Sequence, residues 1–327
     1  MMERIEIALA SDQGYFCGLI VTACSIAKSC KSADDVLSFT ILDGGIKDAD
    51  FALLEAKVRG YHAKSEFRRI SVNDETFKDC PIWNGNRMTY ARLMLPYLLK
   101  DVDYCIYCDV DFLWMRDIAE LWRERRPDIA LISTMDGNLD TLKVDGDWLK
   151  AHNLPFDPAS YFCAGLTFFN LKMFREAGMA ARCFELLKLT PPFNDQTVMY
   201  VATYGKQKLV EKRKWQVFTY ELTQSILDAG CVVHHAGEIP WKVYTSPLSI
   251  FSDAKMLWLR FYAEIYGIST WAAVRRFHPA GSFIYHRALY WFLRTPGIRQ
   301  LIRFALIAAH KPGAWKMFEA RSRGLKI

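Results

Sequence analysis

The chain has 327 residues, of which 51% are hydrophobic, and its formal net charge is +6. These values are typical of a globular protein longer than one average domain, and they exclude a disordered or low-complexity chain. The nine cysteines are irregularly spaced, so we expect no disulfide framework. Residues 1–10 carry Glu3, Arg4 and Glu6, and their apolar run is too short for a secretion signal. No uncharged apolar stretch reaches about 18 residues, so we expect no membrane-spanning helix. The expected location is a reducing cytosol.

Strand and helix patterns alternate along the first part of the chain. Apolar, β-prone runs predict strands at residues 5–10, 36–42, 67–72, 104–108 and 129–133. Helical spacing of apolar residues predicts helices at 15–30, 48–59 and 89–99, and residues 81–86 are predicted as a loop. This alternation indicates an α/β domain with a mostly parallel sheet.

The pattern changes after residue 160. Residues 161–170 are apolar around Ala164 and Gly165, residues 171–189 have helical spacing, and residues 194–196 precede another helical run. Residues 231–235 are typical of the end of a strand, and the chain is helical in pattern after about residue 251. We therefore expect a main domain over residues 1–250 and a helical extension over residues 251–327.

Two aspartates, Asp109 and Asp111, follow the apolar run 104–108. On an extended backbone this spacing places both carboxylates on the same face, where they can hold one hard cation. If the run is an interior strand of a parallel sheet, its carboxyl end opens into the crevice where such sheets bind ligands. The alternative is a solvated turn after a strand.

A second pair, Asp101 and Asp103, has the same spacing but precedes the run, so strand polarity places it away from the ligand crevice. Two close carboxylates repel and need a counter-ion, most simply a divalent cation. A metal held in this way suits a diphosphate, because it neutralises charge on the leaving group. The sequence has neither a Walker loop nor a G-x-G-x-x-G motif, which argues against P-loop and dinucleotide-binding proteins.

His234 and His235 end an apolar strand and are the best source of a third ligand; the alternative is a structural histidine. Adjacent side chains on a strand point to opposite faces, so only one of the two is expected to reach the metal. An imidazole beside carboxylates favours Mn²⁺ over Mg²⁺. Cys105 and Cys108 are three residues apart, which places them on opposite faces of a strand, and both are interpreted as small core residues.

Several short motifs occur in a fixed order between about residues 5 and 245. They are Ala10-Ser11-Asp12, Thr89-Tyr90-Ala91-Arg92-Leu93, Tyr107-Cys108-Asp109-Val110-Asp111, Tyr161-Phe162-Cys163-Ala164-Gly165 through Asn170-Leu171, Asn194-Asp195-Gln196, and His234-His235-Ala236-Gly237 before Pro240-Trp241. In this order they resemble the family 8 retaining glycosyltransferases, which include bacterial lipooligosaccharide galactosyl- and glucosyltransferases and glycogenin. The resemblance implies a GT-A-type fold, with a Rossmann-like nucleotide-binding sheet and helices on both faces.

The resemblance also implies roles for individual residues. Asp109, Asp111 and His234 would bind Mn²⁺, or Mg²⁺, together with the diphosphate of a UDP-sugar. Ala10 and Asp12 would contact uracil and ribose. Arg92, Ala164 and Asp195 would hold the sugar, and Asp136 would approach the donor sugar or the acceptor. Gly165, Gly237 and Lys242 would contact other parts of the donor. Gln196 would lie by the anomeric carbon, opposite the leaving group, and Gln196 and Asp195 are the candidate catalytic residues. Without the resemblance, Arg92 would be interpreted as a surface salt bridge and Asp195 as a helix cap.

The sequence departs from the family pattern at three places. Cys163 stands where an asparagine is usual before Ala-Gly, and Gly14 stands where another asparagine is usual. The segment after the histidines is one residue shorter, and Lys242 follows Pro-Trp instead of preceding it. These departures fall on predicted contacts with the sugar, the nucleoside and a phosphate.

The carboxyl-terminal region is strongly basic. Residues 255–327 carry 13 lysines and arginines against Glu264 and Glu319, a net charge of +11, whereas residues 1–254 have a net charge of −5. Aromatic side chains interleave with these cations. The alternatives are an ordinary helical subdomain, nucleic-acid binding without a recognisable motif, and an anionic membrane surface, where each cation contributes about 1 kcal/mol. We favour the membrane surface and expect no nucleic acid.

Together these features predict a hexosyltransferase that moves glucose or galactose from a UDP-sugar to a glycan with retention of configuration. The expected acceptor is lipopolysaccharide core or another lipid-linked saccharide at the cytoplasmic face of the inner membrane. The resemblance implies that the departing phosphate oxygen takes the acceptor proton, so the chemistry would rest mainly on the metal and on positioning. The alternatives are a metal-dependent nucleotidyltransferase and a non-catalytic protein that binds membranes or nucleic acid.

Overall fold

The structure is a computed structural model that describes residues 2–72, 74–82, 87–243, 251–295, 297 and 325. The predicted loop 81–86 therefore lies partly outside the described residues, as does much of the predicted extension 251–327. The chain forms two compact units: Met1–Val110 with Arg116–Trp215, and Asp111–Met115 with Gln216–Ile327. The division into domains at residue 250 stays a prediction.

The secondary-structure elements are numbered in chain order. The strands are β1 Arg4–Ser11, β2 Val36–Asp43, β3 Ser65–Ser71, β4 Tyr104–Cys108, β5 Phe112–Trp114, β6 Leu131–Met135, β7 Phe162–Asn170, β8 Gln207–Val210, β9 Val217–Phe218 and β10 Val232–His234. The helices are α1 Phe16–Ser29, α2 Asp48–Tyr61, α3 Leu95–Leu98, α4 Ile118–Trp122, α5 Leu139–Ala151, α6 Leu171–Glu176, α7 Met179–Leu187, α8 Asn194–Ala202, α9 Lys212–Trp215, α10 Gln224–Asp228, α11 Asp253–Tyr266, α12 Thr270–Phe277 and α13 Ala280–Arg294. Within the described ranges, none of these helices combines the length and apolarity that crossing a bilayer requires.

The first unit is built on a seven-stranded sheet in the order β3-β2-β1-β4-β7-β6-β8. β1 pairs in parallel with β2 and β4, whereas β7 runs antiparallel to β4 and β6. The predicted α/β fold with a mostly parallel sheet is confirmed. The chain leaves β1 for β2 on one side and later returns to β4 on the other, so the carboxyl ends of β1 and β4 flank a topological switch point, where such sheets bind ligands.

The antiparallel strand β7 brings a second set of residues to this edge. Its amino-terminal half lies beside the carboxyl end of β4, with Leu166 opposite Cys108. Aromatic packing fixes helix α8 against the same end of β7, because the rings of Tyr161 and Tyr200 have centroids 4.8 Å apart. The beginning of β7 is therefore held close to the end of β4 and to α8.

Several predicted elements differ from the structure in their boundaries. Residues 171–189 form two helices rather than one, because Gly178 adopts a left-handed φ of 62° between them. Residues 88–94 form a 3₁₀ helix before α3, which begins at Leu95 with Pro96 in its first turn. The strand predicted at 129–133 lies two residues further along as β6, and residues 194–196 open α8 rather than precede it.

The second unit contains a three-stranded sheet in the order β5-β10-β9, followed by α11, α12 and α13. β10 pairs antiparallel with β5 and parallel with β9. Ser252 caps the start of α11, because its side chain accepts a hydrogen bond from the Lys255 N–H, and Gly267 ends the helix with a left-handed φ of 64°. The helical pattern predicted after residue 251 is confirmed for the residues described.

Candidate active site

In the first unit, the residues that follow β4 lie against the beginning of β7. Asp109 comes directly after β4, and its backbone N–H donates a 2.8 Å hydrogen bond to the carbonyl of Gly165. The next carbonyl, that of Val110, accepts a 2.9 Å hydrogen bond from the Thr22 hydroxyl on α1. The backbone around Asp109 is thus held from two elements, and Asp109, Ala164 and Gly165 are brought together.

Arg92 connects three of the predicted site residues. Its Nη1 donates to the Ala164 carbonyl at 2.5 Å and its Nη2 to the Asp109 carboxylate at 2.6 Å, while its Nε lies 3.1 Å from the Asp195 carboxylate. Its guanidinium also lies 4.4 Å from the centroid of the Tyr107 ring, in cation–π contact. The alternative interpretation of Arg92 as a surface salt bridge is wrong, because the side chain is buried.

Burial and neighbouring charges have opposite effects on the pKa values of Arg92 and Asp195. Burial works against the charged guanidinium, but Asp109 and Asp195 outweigh it and raise the pKa of Arg92. Burial raises the pKa of Asp195, and the charge of Arg92 only partly offsets this. The Asp109 side chain is 31% exposed, against 4% for Arg92 and 9% for Asp195, so Asp109 is the carboxylate of the cluster that a ligand can reach.

Gln196 and Asp136 are linked by a hydrogen bond. The Gln196 amide oxygen accepts from the Ala164 N–H at 2.9 Å, and its amide nitrogen donates to the Asp136 carboxylate at 3.0 Å. The other oxygen of Asp136 accepts from the Asn138 N–H at 2.9 Å. The amide oxygen faces a donor and the amide nitrogen faces an acceptor, so these two partners fix the orientation of the Gln196 amide.

The first residues of α8 are held in an unusual conformation. Asn194 has a left-handed φ of 43°, a region that few residues other than glycine adopt. α8 begins after Phe193, which has no side-chain oxygen to cap the helix, and Asp195 is its second residue. The helix-cap interpretation of Asp195 is therefore wrong, and its carboxylate pairs with Arg92 instead.

Ala10 and Asp12, the predicted nucleoside contacts, lie at the end of β1 and just beyond it. One carboxylate oxygen of Asp12 accepts a 3.0 Å hydrogen bond from the Tyr15 N–H and caps a 3₁₀ turn. A Cβ at Gly14 would lie 3.3 Å from that same oxygen. Glycine at position 14, where the family usually has asparagine, therefore leaves room for the Asp12 carboxylate.

In the second unit, Asp111 and His234 face each other across the β5–β10 pair. The His234 Nε2 lies 3.3 Å from the Asp111 carboxylate. The imidazole is stacked between two phenylalanines that are its register partners, with ring centroids 4.1 Å from Phe112 and 5.2 Å from Phe218. These rings fix the imidazole plane, so that Nε2 points at Asp111.

Gln216 is a further contact of His234 that the sequence did not predict. Its side-chain amide lies 3.2 Å from the His234 Nδ1 and is buried. Gln216 directly precedes β9, a strand of two residues. Because so short a strand has no alternating pattern, no signal in the sequence places Gln216 beside β10.

His235 differs from its neighbour. Its backbone N–H donates to the Asp111 carbonyl at 2.9 Å, and neither ring nitrogen has a hydrogen-bond partner among the described residues. Burial lowers the pKa of His235 to about 4. For Asp111, burial favours the neutral acid, but His234 and His235 outweigh it and lower its pKa. His234 is thus the histidine whose ring contacts an ionised carboxylate.

The predicted metal ligands are the carboxylates of Asp109 and Asp111 and the imidazole of His234. A single residue, Val110, separates the two aspartates in the chain, and His234 contacts Asp111 within the second unit. Two carboxylates and one imidazole are a donor set that suits a borderline divalent cation better than a purely hard one. The residues present fit the metal that the sequence predicts.

Gly237 and Lys242, two of the predicted donor contacts, are exposed, and both lie in the turn region that follows β10. The Glu238 N–H donates to the His235 carbonyl at 2.9 Å, and the Lys242 N–H donates to the Ile239 carbonyl at 3.2 Å. Gly237 has a φ of 71°, which a residue with a Cβ rarely adopts. The turn therefore depends on glycine at this position.

The second aspartate pair lies where strand polarity predicts. Asp101 and Asp103 precede β4, and they pair with Arg68 at 2.8 Å and Arg175 at 3.4 Å. Their charges are compensated at the amino end of the strand, away from the switch point. Cys105 and Cys108 are also confirmed as core residues, since both are buried.

The mostly parallel sheet and its switch point are those expected of a nucleotide-binding α/β fold of the GT-A type. The sequence profile of glycosyl transferase family 8 matches residues 6–244. This match covers most of the chain, and the protein belongs to that family. The resemblance found in the order of the motifs is therefore confirmed.

Individual relatives agree with this assignment. A Haemophilus influenzae protein that is provisionally named a glycosyltransferase is 26% identical over 216 residues, which span 64% of this chain and 63% of that protein. The bifunctional glycosyltransferase WbbM in its apo form has a TM-score of 0.64 at 18% identity, over 81% of this chain and 51% of its own. This chain thus spans less than two thirds of the length of either relative.

A third relative matches over nearly its whole length. The galactosyltransferase LgtC, solved with donor and acceptor sugar analogues, has a TM-score of 0.63 at 24% identity, over 81% of this chain and 96% of its own. At this level of identity the two solved structures show that the fold is shared.

Proposed function

We propose that the protein is a retaining hexosyltransferase that moves glucose or galactose from a UDP-sugar to a glycan. The observation that carries this proposal is the Arg92 cluster at the switch point, where a buried guanidinium fixes an accessible Asp109 beside Ala164 and Asp195. Membership of glycosyl transferase family 8 supports the reaction class. The likeness to LgtC, which was solved with donor and acceptor sugar analogues, supports a sugar donor and a sugar acceptor.

Asp109, Asp111 and His234 would hold Mn²⁺, with Mg²⁺ as the alternative. The bound ion would neutralise the diphosphate and stabilise the departing UDP. His234 would then offer the lone pair of Nε2, so its proton would reside on Nδ1 and would point at Gln216. Gln216 can accept it through its amide oxygen, because a half-turn of the amide exchanges oxygen and nitrogen.

The other contacts with the donor follow from where the side chains lie. Ala10 and Asp12, at the end of β1, would contact uracil and ribose. Gly237 and Lys242, exposed on the turn after β10, would contact the phosphates, with Lys242 supplying a positive charge. Arg92 and Asp195 would hold the sugar, aided by the backbone of Ala164 and Gly165. The buried ion pairs of Arg92 keep this part of the site rigid before the donor binds.

The transfer would proceed on one face of the sugar. The bond between the anomeric carbon and the phosphate oxygen breaks, a bond to the acceptor oxygen forms, and the acceptor proton passes to the departing phosphate oxygen. Gln196 would lie on the opposite face, where its amide oxygen is directed by the Ala164 N–H and its amide nitrogen by Asp136. Asp136 would contact the donor sugar or the acceptor. Positioning and electrostatics thus supply most of the rate.

The acceptor would be lipopolysaccharide core or another lipid-linked saccharide at the cytoplasmic face of the inner membrane. In support, α12 and α13 carry large exposed aromatic side chains, Trp271, Tyr285, Trp291 and Phe292, and Arg275 and Arg276 of α12 are exposed as well. Aromatic rings and cations on amphipathic helices bind anionic membrane surfaces. The remaining basic residues of the extension, from Arg299 onwards, lie outside the described residues.

A panel of donors tests this proposal against a nucleotidyltransferase. The protein is incubated with UDP-glucose, UDP-galactose and the nucleoside triphosphates, with Mn²⁺ or with chelator. Release of UDP from a UDP-hexose only with Mn²⁺, and a sugar product that retains its anomeric configuration by NMR, would support a retaining transferase. Release of inorganic diphosphate from a triphosphate would support the nucleotidyltransferase instead. No turnover and no thermal shift with any nucleotide would favour a non-catalytic binding protein.

A further inference from the structure

Three buried side chains of the region after residue 250 contact the segment 238–242. The Ser252 hydroxyl donates to the Glu238 carboxylate at 2.6 Å, and the Lys255 ammonium donates to the Lys242 carbonyl at 3.2 Å. The His278 Nε2 lies 2.8 Å from the Pro240 carbonyl. All of these groups belong to the second unit, and the contacts fall on every second residue of the segment.

These contacts are hydrogen bonds of buried polar side chains, which are more specific than apolar packing. Lys255 is 0% exposed, and burying an ammonium is costly unless it is compensated. The Lys242 carbonyl provides part of the compensation, and the ring of Phe251, 5.0 Å away, provides a cation–π contact. A leucine or methionine would fill the same space at lower cost, so the lysine implies a use for its hydrogen bond.

Ser252 joins the start of α11 to the same segment. Its hydroxyl accepts the Lys255 N–H at 3.2 Å as the helix cap, and donates to Glu238. The ring of Trp241 in the segment also packs on Trp258 of α11, with centroids 5.3 Å apart. A displacement of α11 would therefore displace the turn that carries Gly237 and Lys242.

We propose that α11 and α12 position the donor-phosphate turn, with Ser252, Lys255 and His278 as positioning residues. This inference rests on the proposed function, in which Gly237 and Lys242 contact the diphosphate. Gly237 and Lys242 are exposed, whereas Glu238 and Trp241 between them are buried, so the supports act on the buried side of the turn. The supports would fix it in the binding conformation before the donor arrives, which lowers the entropy cost of binding. The region after residue 250 would then support the donor site in addition to its proposed contact with the membrane.

The test separates binding of the diphosphate from binding of the nucleoside. For Lys255→Met and Ser252→Ala, the Kd of UDP with Mn²⁺ is measured by calorimetry and that of uridine by competition. Loss of a hydrogen bond from a charged donor predicts a rise of about tenfold in the Kd of UDP for Lys255→Met, and a smaller rise for Ser252→Ala. The Kd of uridine should not change, because its predicted contacts, Ala10 and Asp12, belong to the first unit. The KM of the UDP-sugar should rise with the Kd of UDP.

A conservative pair at position 278 checks the hydrogen bond itself. His278→Gln retains an N–H that can donate to the Pro240 carbonyl, so its Kd for UDP should equal that of the wild type. His278→Phe lacks this donor, so its Kd for UDP should rise as it does in Lys255→Met. Arg260→Met is the matched control, because it also replaces a cation of α11 by methionine. Arg260 is exposed, unlike Lys255. This variant should leave the Kd of UDP unchanged.

Two results would overturn the inference: an unchanged Kd of UDP in folded Lys255→Met and His278→Phe, or an equal loss of UDP and uridine binding. The milder Ser252→Ala variant gives the same answer if the larger changes prevent folding. Failure of the proposed function has a different signature, since the wild-type protein itself would then neither bind UDP nor release it from a UDP-sugar.

Discussion

The Arg92 guanidinium donates a 2.6 Å hydrogen bond to the Asp109 carboxylate, and the same guanidinium contacts Asp195 and the Ala164 carbonyl. A planar group with several donors is needed to reach partners from β4, β7 and α8 at once. The position of Asp109 thus depends on a residue of the 3₁₀ helix that precedes α3.

Arg92→Lys should disable the site without a change of charge. An ammonium cannot make the three contacts together, and breaking a buried ion pair costs about 3–5 kcal/mol. We expect a lower melting temperature and a loss of UDP-sugar turnover of about a hundredfold or more, measured by calorimetry and by UDP release. Arg68→Lys is the control, because its pair with Asp101 is exposed and worth at most about 1 kcal/mol. Wild-type turnover in Arg92→Lys would contradict the positioning role.

Asp111→Asn should abolish tight Mn²⁺ binding while the protein stays folded. The substitution removes a charge that would face the ion, but keeps the size of the side chain and an oxygen for local contacts. Binding is measured by the electron paramagnetic resonance signal of free Mn²⁺. Asp103→Asn, at the amino end of β4, is the matched control and should bind Mn²⁺ as the wild type does. Equal affinity in both variants would rule out Asp111 as a ligand.

Gln196→Ala should lower kcat more than it changes binding of the donor. The hydrogen bonds of the amide with Ala164 and Asp136 are lost, but the predicted contacts with UDP are not touched. We expect kcat to fall by about ten- to a hundredfold, with a nearly constant Kd of UDP, since an interaction made mainly in the transition state affects kcat. A comparable change at Gln207, which donates to the Tyr200 carbonyl, should have little effect on kcat. If UDP binding were lost with kcat, Gln196 would be a binding residue instead.

The stability of the second unit should fall in mild acid. Burial, and secondarily the charge of Lys255, lowers the pKa of His278 to about 4, against about 6.5 in an unfolded chain. The unfolded state therefore takes up the proton first, so this contribution is complete above pH 6.5 and is lost as the pH falls towards 4. We expect a loss of roughly 2 kcal/mol over this range.

Denaturant unfolding at a series of pH values measures this effect. His278→Gln, which cannot titrate, should show a smaller decrease between pH 6.5 and 4 than the wild type. If the free energy of unfolding decreased equally with pH in the two proteins, His278 would not contribute to the pH dependence.

The sequence predicted those parts of the fold and site that depend on local patterns. Strand polarity separated Asp109 and Asp111 from Asp101 and Asp103, because the direction of the chain determines which end of β4 each pair occupies. The alternation of strands and helices was enough to predict the sheet of the first unit. The order of the motifs was enough to identify the family, and the roles of the individual site residues are predictions.

What the sequence did not predict depends on contacts between distant residues. Gln216 meets His234 through a strand of two residues, and Ser252 and His278 meet the segment 238–242 through helix packing. The surface role considered for Arg92 was wrong for the same reason, since the burial of an arginine depends on which elements cover it. The break at Gly178 was missed because the apolar spacing continues on both sides of it.

The most direct measurement of the central claim is UDP release from UDP-glucose and UDP-galactose by the wild type and by Asp109→Asn, with Mn²⁺ and with chelator. We expect the wild type to release UDP from at least one of these donors with Mn²⁺ and not with chelator, and folded Asp109→Asn to release essentially none. UDP release by Asp109→Asn at the wild-type rate, or by the wild type in the presence of chelator, would rule out metal-dependent transfer at Asp109.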